Sequence, residues 1–113
     1  MDLESIVRAL NLQVRSGENN LKTKIRGGYT GDLLSDVMAN SKEGDIWVTR
    51  QVHQNIVAVA SLRDLAGIIL VHGCEPAQDT LEKAKKENIP ILISDLSAFD
   101  VIGRINDLMK KND

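Results

Sequence analysis

Residues 46–71 read IWVTRQVHQNIVAVASLRDLAGIILV, and the fold turns on how this stretch is divided. Ile46-Trp47-Val48-Thr49 is β-branched and aromatic, the composition of a strand. Gly67-Ile68-Ile69-Leu70-Val71 is an unbroken apolar run of the kind carried by a strand buried on both faces. The middle segment, Val52 to Leu62, is open between a strand by composition and a buried helix, because Ala58, Ala60 and Ser61 and the lack of internal turn signals suit either. Two parallel strands need a crossover of about a dozen residues between them. Val52 to Leu62 supplies one, and helix is therefore the reading adopted.

Downstream the alternation continues. Glu75-Pro76 opens a helix with proline in its first turn, Thr80, Leu81 and Ala84 on one side and Lys83, Lys85 and Lys86 late, where the helix dipole favours cations. Asn88 ends it. Ile89-Pro90-Ile91-Leu92-Ile93 reads as a strand, and Ser94-Asp95-Leu96-Ser97 caps a last helix, Ala98 to Met109, with Phe99, Ile102, Ile105 and Leu108 inward. Lys110 to Asp113 is expected to fray.

Upstream, Leu3, Ile6, Val7 and Leu10 have helical spacing. Asn11 to Arg15 alternates as a strand and is stopped by the turn residues Ser16-Gly17-Glu18-Asn19-Asn20. Leu21 to Arg26 resumes a period of two and leads into Gly27-Gly28-Tyr29-Thr30-Gly31-Asp32, read as a glycine loop. From Asp32 to Ala39, the residues Leu33, Leu34, Val37 and Met38 form a helix face, with Asp32 placed to cap its start. Strand and helix in alternation predict a three-layer α/β/α fold: a mostly parallel sheet with helices on both faces. Ligands of such sheets sit beyond the carboxyl ends of the strands, here Thr49-Arg50-Gln51, Val71-His72-Gly73 and Ser94-Asp95.

The chain has 113 residues, the size of one domain. Aromatic residues are 3% of it, Tyr29, Trp47 and Phe99, against 42% hydrophobic overall, so the core is aliphatic. A formal net charge of -2 disfavours nucleic acid as a partner, since phosphate binding draws on a gathered excess of Lys and Arg. Cys74 is the only cysteine, which excludes an intrachain disulfide. No apolar run is long enough for a membrane span, and Asp2 and Glu4 stand where a signal peptide carries basic residues. A cytoplasmic location is expected.

The phrases GGYTGDLLSDVM, GDIWVT, NIVAVASLRDLAGIILVHGCEP, TLEKAKKENIPIL and LSAFDVIGRI, in this order and spacing, resemble a DRTGG domain. The resemblance covers the chain from about Gly27 and extends to the preceding strands. It implies a three-layer α/β module similar to the N-terminal domain of HPr kinase/phosphorylase and to segments of phosphotransacetylases and of pyrophosphatases with CBS domains. There it accompanies a catalytic domain and serves regulation or assembly. Free-standing short copies are linked with hydrogenase-type redox gene sets. The kinase's GxxxxGK[ST] phosphate loop is absent, because Asp32 stands where that loop needs lysine, so kinase activity is not carried over.

Among candidate sites, the glycine loop offers backbone N–H groups to an anion, while Asp32 competes for the same donors and repels phosphate. A tight turn is the plainer reading. His53, His72 and Cys74 are too few and too scattered for zinc, and Cys74 lacks the base and orienting group of a nucleophile. Neither a metal nor a cofactor is expected, and no residue is assigned a catalytic role. Trp47 reads as core, and Ser94 and Asp95 as helix caps. The leading expectation is a non-catalytic regulatory or interaction module, homodimeric, that presents the glycine loop and strand ends to a protein partner or a small anionic ligand. Next is a nucleotide or anion sensor lined by Gly28, Thr30, Gly31, Thr49, Arg50 and His53. A small phosphoryl- or acyl-transfer enzyme comes third.

Overall fold

In the computed structural model, which describes residues 1–111, helices and strands alternate over most of the chain. In chain order they are α1 (Leu3–Leu10), β1 (Gln13–Ser16), a 3-10 turn (Glu18–Asn20), β2 (Gly27–Thr30), α2 (Leu34–Asn40), β3 (Asp45–Thr49), α3 (Asn55–Leu62), β4 (Gly67–Leu70), α4 (Gln78–Glu87), β5 (Ile91–Ile93) and α5 (Ala98–Lys111). The five strands form one sheet in the order β1-β5-β4-β3-β2. β2, β3, β4 and β5 are mutually parallel, and β1 pairs antiparallel with β5.

Each parallel crossover steps in the same direction across the sheet. Right-handed crossovers of that kind keep their helices on one face, and α2, α3 and α4 lie together there over Trp47, Ile68, Leu70, Ile91 and Ile93. α1 and α5 cover the other face over Ile46, Val48, Ile69, Val71 and Leu92. This is the three-layer α/β/α architecture expected from the alternation. The strand residues of β3, β4 and β5 are buried from end to end, because each face of the sheet carries helices. Val52 to Leu62 resolves as a short approach followed by α3, a helix apolar almost all round with Ile56, Val57, Val59 and Ala60 buried.

Four expectations are corrected. Leu21 to Arg26 is not a ladder strand; only Lys24 makes an isolated bridge, to Asp2. Its carbonyls serve α1 instead, Thr23 O accepting from Leu3 N at 2.9 Å and Leu21 O from Glu4 N at 2.7 Å, so they satisfy helix N–H groups that lack an internal partner. The strand begins where the glycine loop was expected. Gly27, Gly28, Tyr29 and Thr30 pair in parallel register with Asp45, Ile46, Trp47 and Val48, making β2 the edge of the sheet. Asp32 does not cap α2: Leu33 holds the N-cap position, without a side-chain bond, and is 67% exposed. Phe99 is 85% exposed rather than inward. The inward stripe of α5 runs instead through Val101 and Ile105, and Ser97 Oγ accepts from Asp100 N at 3.2 Å at its start. Boundaries also shift: α4 begins at Gln78, beyond Pro76, and α5 continues through Lys110 and Lys111, where fraying was expected. The rest of that tail lies outside the described residues.

Candidate functional site

The helices after β4 and β5 depart to opposite faces, so the strand ends there form the switch point at which open α/β sheets place ligands. Here the chain seals it. His72 N donates to Leu96 O at 2.9 Å and Gly73 N to Ser94 O at 2.8 Å, tying the two loops together. Both residues take positive φ to do so, 57° at His72 and 66° at Gly73. His72 is exposed, and Cys74 is a free thiol, half-buried against the α2–α4 core.

The open end lies over β2 and β3. Asp32 Oδ1 accepts from Thr49 Oγ1 at 2.7 Å and from Arg50 N at 2.8 Å, clasping the end of one strand to the end of the next. Gln51 closes the same knot, its Nε2 donating to Asp32 O at 3.0 Å and its N to Thr49 Oγ1 at 3.1 Å. The Arg50 amide, then the Thr49 hydroxyl, hold the Asp32 carboxyl below its ordinary value. Asp32, Arg50, Gln51, Val52 and His53 line an open cleft of about 350 Å³. Arg50 and His53 are presented by the turn before α3, the Arg50 guanidinium forms no salt bridge with any described residue, and Asp32 Oδ2 has no hydrogen-bond donor among them.

Of the six residues singled out in the sequence, Arg50 and His53 meet in this cleft. Thr49 is 2% exposed, and its hydroxyl is engaged as donor to Asp32 and acceptor from Gln51, so it shapes the cleft from below. Gly31, at φ 155°, turns the chain out of β2 and offers its carbonyl to Trp47 Nε1 at 2.9 Å. Trp47 is wholly buried, as read from the sequence. Gly28 and Thr30 belong elsewhere: they line a separate cleft of about 120 Å³ between β2 and α5, on the opposite face of the sheet from α3. Between the two clefts Tyr29 points to the α2 side, where its hydroxyl donates to Asp36 Oδ2 at 2.5 Å and Asn40 Nδ2 donates to Asp36 Oδ1 at 2.9 Å. That bond to Asp36 raises the Tyr29 pKa above the phenol's usual value.

Two kinds of residue escaped the sequence reading. Asp32 was read as a helix cap and as a carboxylate opposing phosphate at the glycine loop, although a carboxylate two positions beyond a strand also reaches the neighbouring strand's end. Ile102, Asn106 and Met109 of α5 meet β2 only through the tertiary fold, and no local signal pairs them with Gly28.

The family model of the DRTGG domain matches residues 5–108. The chain belongs to the DRTGG domain family. A solved structure similar to this DRTGG domain is the crystal structure of the CBS and DRTGG domains of the regulatory region of Clostridium perfringens pyrophosphatase, complexed with its activator, diadenosine tetraphosphate. It superimposes with a TM-score of 0.71 at 19% identity over 88% of this chain, which shows a shared fold. This DRTGG domain spans 44% of that larger chain. No curated protein sequence matches it. Among the described residues, no helix is long and apolar enough to cross a membrane.

Proposed function

We propose that this DRTGG domain is a non-catalytic regulatory module that senses a small phosphorylated ligand of the nucleotide class at the carboxyl ends of β2 and β3. The observation that carries the reading is the Arg50 guanidinium, outside any salt bridge with a described residue, beside His53 in an open cleft. A guanidinium matches phosphate oxygens in pairs. Asp32 opposes a phosphate placed directly on it, but its second oxygen is a good acceptor for ribose hydroxyls, the role an acidic residue plays beside many nucleotides. The pyrophosphatase regulatory region adds support of a general kind, since a protein with this fold in its regulatory part takes a dinucleotide activator.

The module works as a homodimer. Leu33, Leu62 and Phe99 are large apolar side chains left exposed, and the outer edge of β2 is paired with no strand among the described residues. A reducing, cytoplasmic setting suits its free Cys74, and the family resemblance implies a place in metabolic or hydrogenase-type redox regulation.

Thermal-shift titration with nucleoside mono-, di- and triphosphates tests the sensing role. A ligand that binds only the folded state stabilises it by about 2.7 kcal/mol at one hundred times its dissociation constant. The shift is expected to fall in Arg50→Ala and His53→Ala. A flat response across the panel, or a shift unchanged in both variants, refutes a site at the strand ends.

A further inference from the structure

Gly28 occupies a strand position that does not require glycine. Its φ is not in the positive region, and a Cβ built on it would meet only Ile46 Cγ2 at 3.4 Å and Ile46 O at 3.5 Å, both ordinary contacts. No atom of α5 comes within 4 Å of that point, so no helix exploits the missing side chain. Contrast Gly67, where Leu3 Cδ2 would lie 3.1 Å from the added atom because α1 packs down onto β4. A glycine inside a strand weakens it, and it commonly marks the close approach of a ligand or another backbone.

What lies above Gly28 is the cleft of about 120 Å³. Its floor is the sheet surface at Gly28, Ile46 and Val48, and its wall is Ile102, Asn106 and Met109 of α5. The slot is mostly apolar, with Thr30 and Asn106 as its polar side chains, and has room for a single ring system. Met109 brings a thioether, which packs well against aromatic rings. Asn106 is exposed at the mouth of the slot, its side chain makes no hydrogen bond with a described residue, and it offers both a donor and an acceptor there. A lipid chain would have no use for that amide; a flat heterocycle with a hydrogen-bonding edge would use it and the apolar walls together.

We propose that the slot between β2 and α5 is a nucleobase pocket, with Gly28 as its open floor and Asn106 reading the edge of the base. The proposal rests on the nucleotide-sensing reading and adds to it a place for the base. Thr30 lines this slot and Asp32 the other cleft, so the lining of the two clefts is joined by a two-residue step of chain, about 7 Å between Cα atoms at most.

The test is calorimetric titration of the full chain with adenosine, guanosine, cytidine and uridine, with the corresponding nucleotides, and with inorganic tripolyphosphate. Gly28→Val fills the slot with a residue that suits a strand, and Asn106→Ala removes the amide from an exposed helix position. At least one nucleoside is expected to bind without any phosphate. Its affinity should fall tenfold or more in Gly28→Val, fall severalfold in Asn106→Ala and hold in Arg50→Ala. Tripolyphosphate binding that is lost in Arg50→Ala, with every nucleoside silent, overturns the base pocket and leaves the strand-end site standing. Nucleoside binding lost in Gly28→Val, with nucleotide affinity unmoved by Arg50→Ala, supports the pocket and removes the strand-end site. Nucleosides binding Gly28→Val as they bind the parent protein overturn the proposal. So does a Gly28→Val protein that changes only its dimerisation, which assigns the slot to a second copy. Were Gly28→Val to misfold, Asn106→Ala decides by the same readout.

Discussion

Asp32 joins two strand ends through one carboxylate oxygen, and its loss falls on a buried neighbour. Thr49 is 2% exposed, so Asp32→Ala leaves its hydroxyl without an acceptor in a place water reaches poorly. The expected cost is about 1–3 kcal/mol in urea denaturation. The charge has a pH signature as well. Because the folded pKa lies below the unfolded value of 3.8, the stabilisation is complete above the unfolded pKa and is lost as pH falls through the folded one. The gap in melting temperature between the parent protein and Asp32→Asn should therefore hold steady above about pH 5 and narrow as the pH falls below 3.8; a gap constant into the acid range would show that the charge contributes nothing there. Local sequence showed Asp32 as a helix cap and as a carboxylate opposing phosphate at the glycine loop. Its true partners, Thr49 and Arg50, lie 17 and 18 positions away.

The glycines of β1's turn and of β2 divide at the level of the element. Gly17 has φ 74°, and a Cβ there would sit 2.4 Å from the Pro90 backbone, where the chain leaving β1 passes the entry to β5. Gly17→Ala should destabilise by about 3 kcal/mol or more, since neither backbone can give way. Gly28→Val is expected to do the reverse. With ordinary φ, free space and a β-branched side chain on an extended backbone, it should hold stability or raise it by about 0.5–1 kcal/mol. Opposite signs in one denaturation series would show that the second glycine is kept for something other than folding. The turn after β1 was legible, because Ser16-Gly17-Glu18-Asn19-Asn20 is dense in turn formers. β2 was not. Glycine has low strand propensity, and what makes Gly27-Gly28-Tyr29-Thr30 a strand is its register against β3.

At the scale of the whole molecule, the sheet is covered by three helices on one face and two on the other, and the thinner cover leaves the slot over β2. The exposed apolar side chains belong to this scale too. Phe99→Ser should change the monomer's stability by no more than about 0.5 kcal/mol, as for other surface positions. Ile68→Ala, at a site with no exposure, should cost about 2–5 kcal/mol. If Phe99 lies in a homodimer interface, light scattering at micromolar concentration will show a dimer in the parent protein and a monomer in Phe99→Ser. A parent protein that is monomeric throughout removes the dimer from the proposal.

The sequence by itself determined the α/β class, the parallel crossover from β3 to β4, the buried Trp47 and the placing of Arg50 and His53 at a strand end. Each follows from periodicity, composition or the length of a connection, which are properties of neighbouring residues. Only the tertiary structure decided that the glycine run is an edge strand, that Asp32 clasps β3 and that Phe99 points outward. It also decided that Gly28 and Thr30 part from Arg50 and His53 into a different cleft. These depend on which distant segments meet and on which side of the sheet each residue falls, and hydrogen-bond register and packing set both only once the chain has closed on itself.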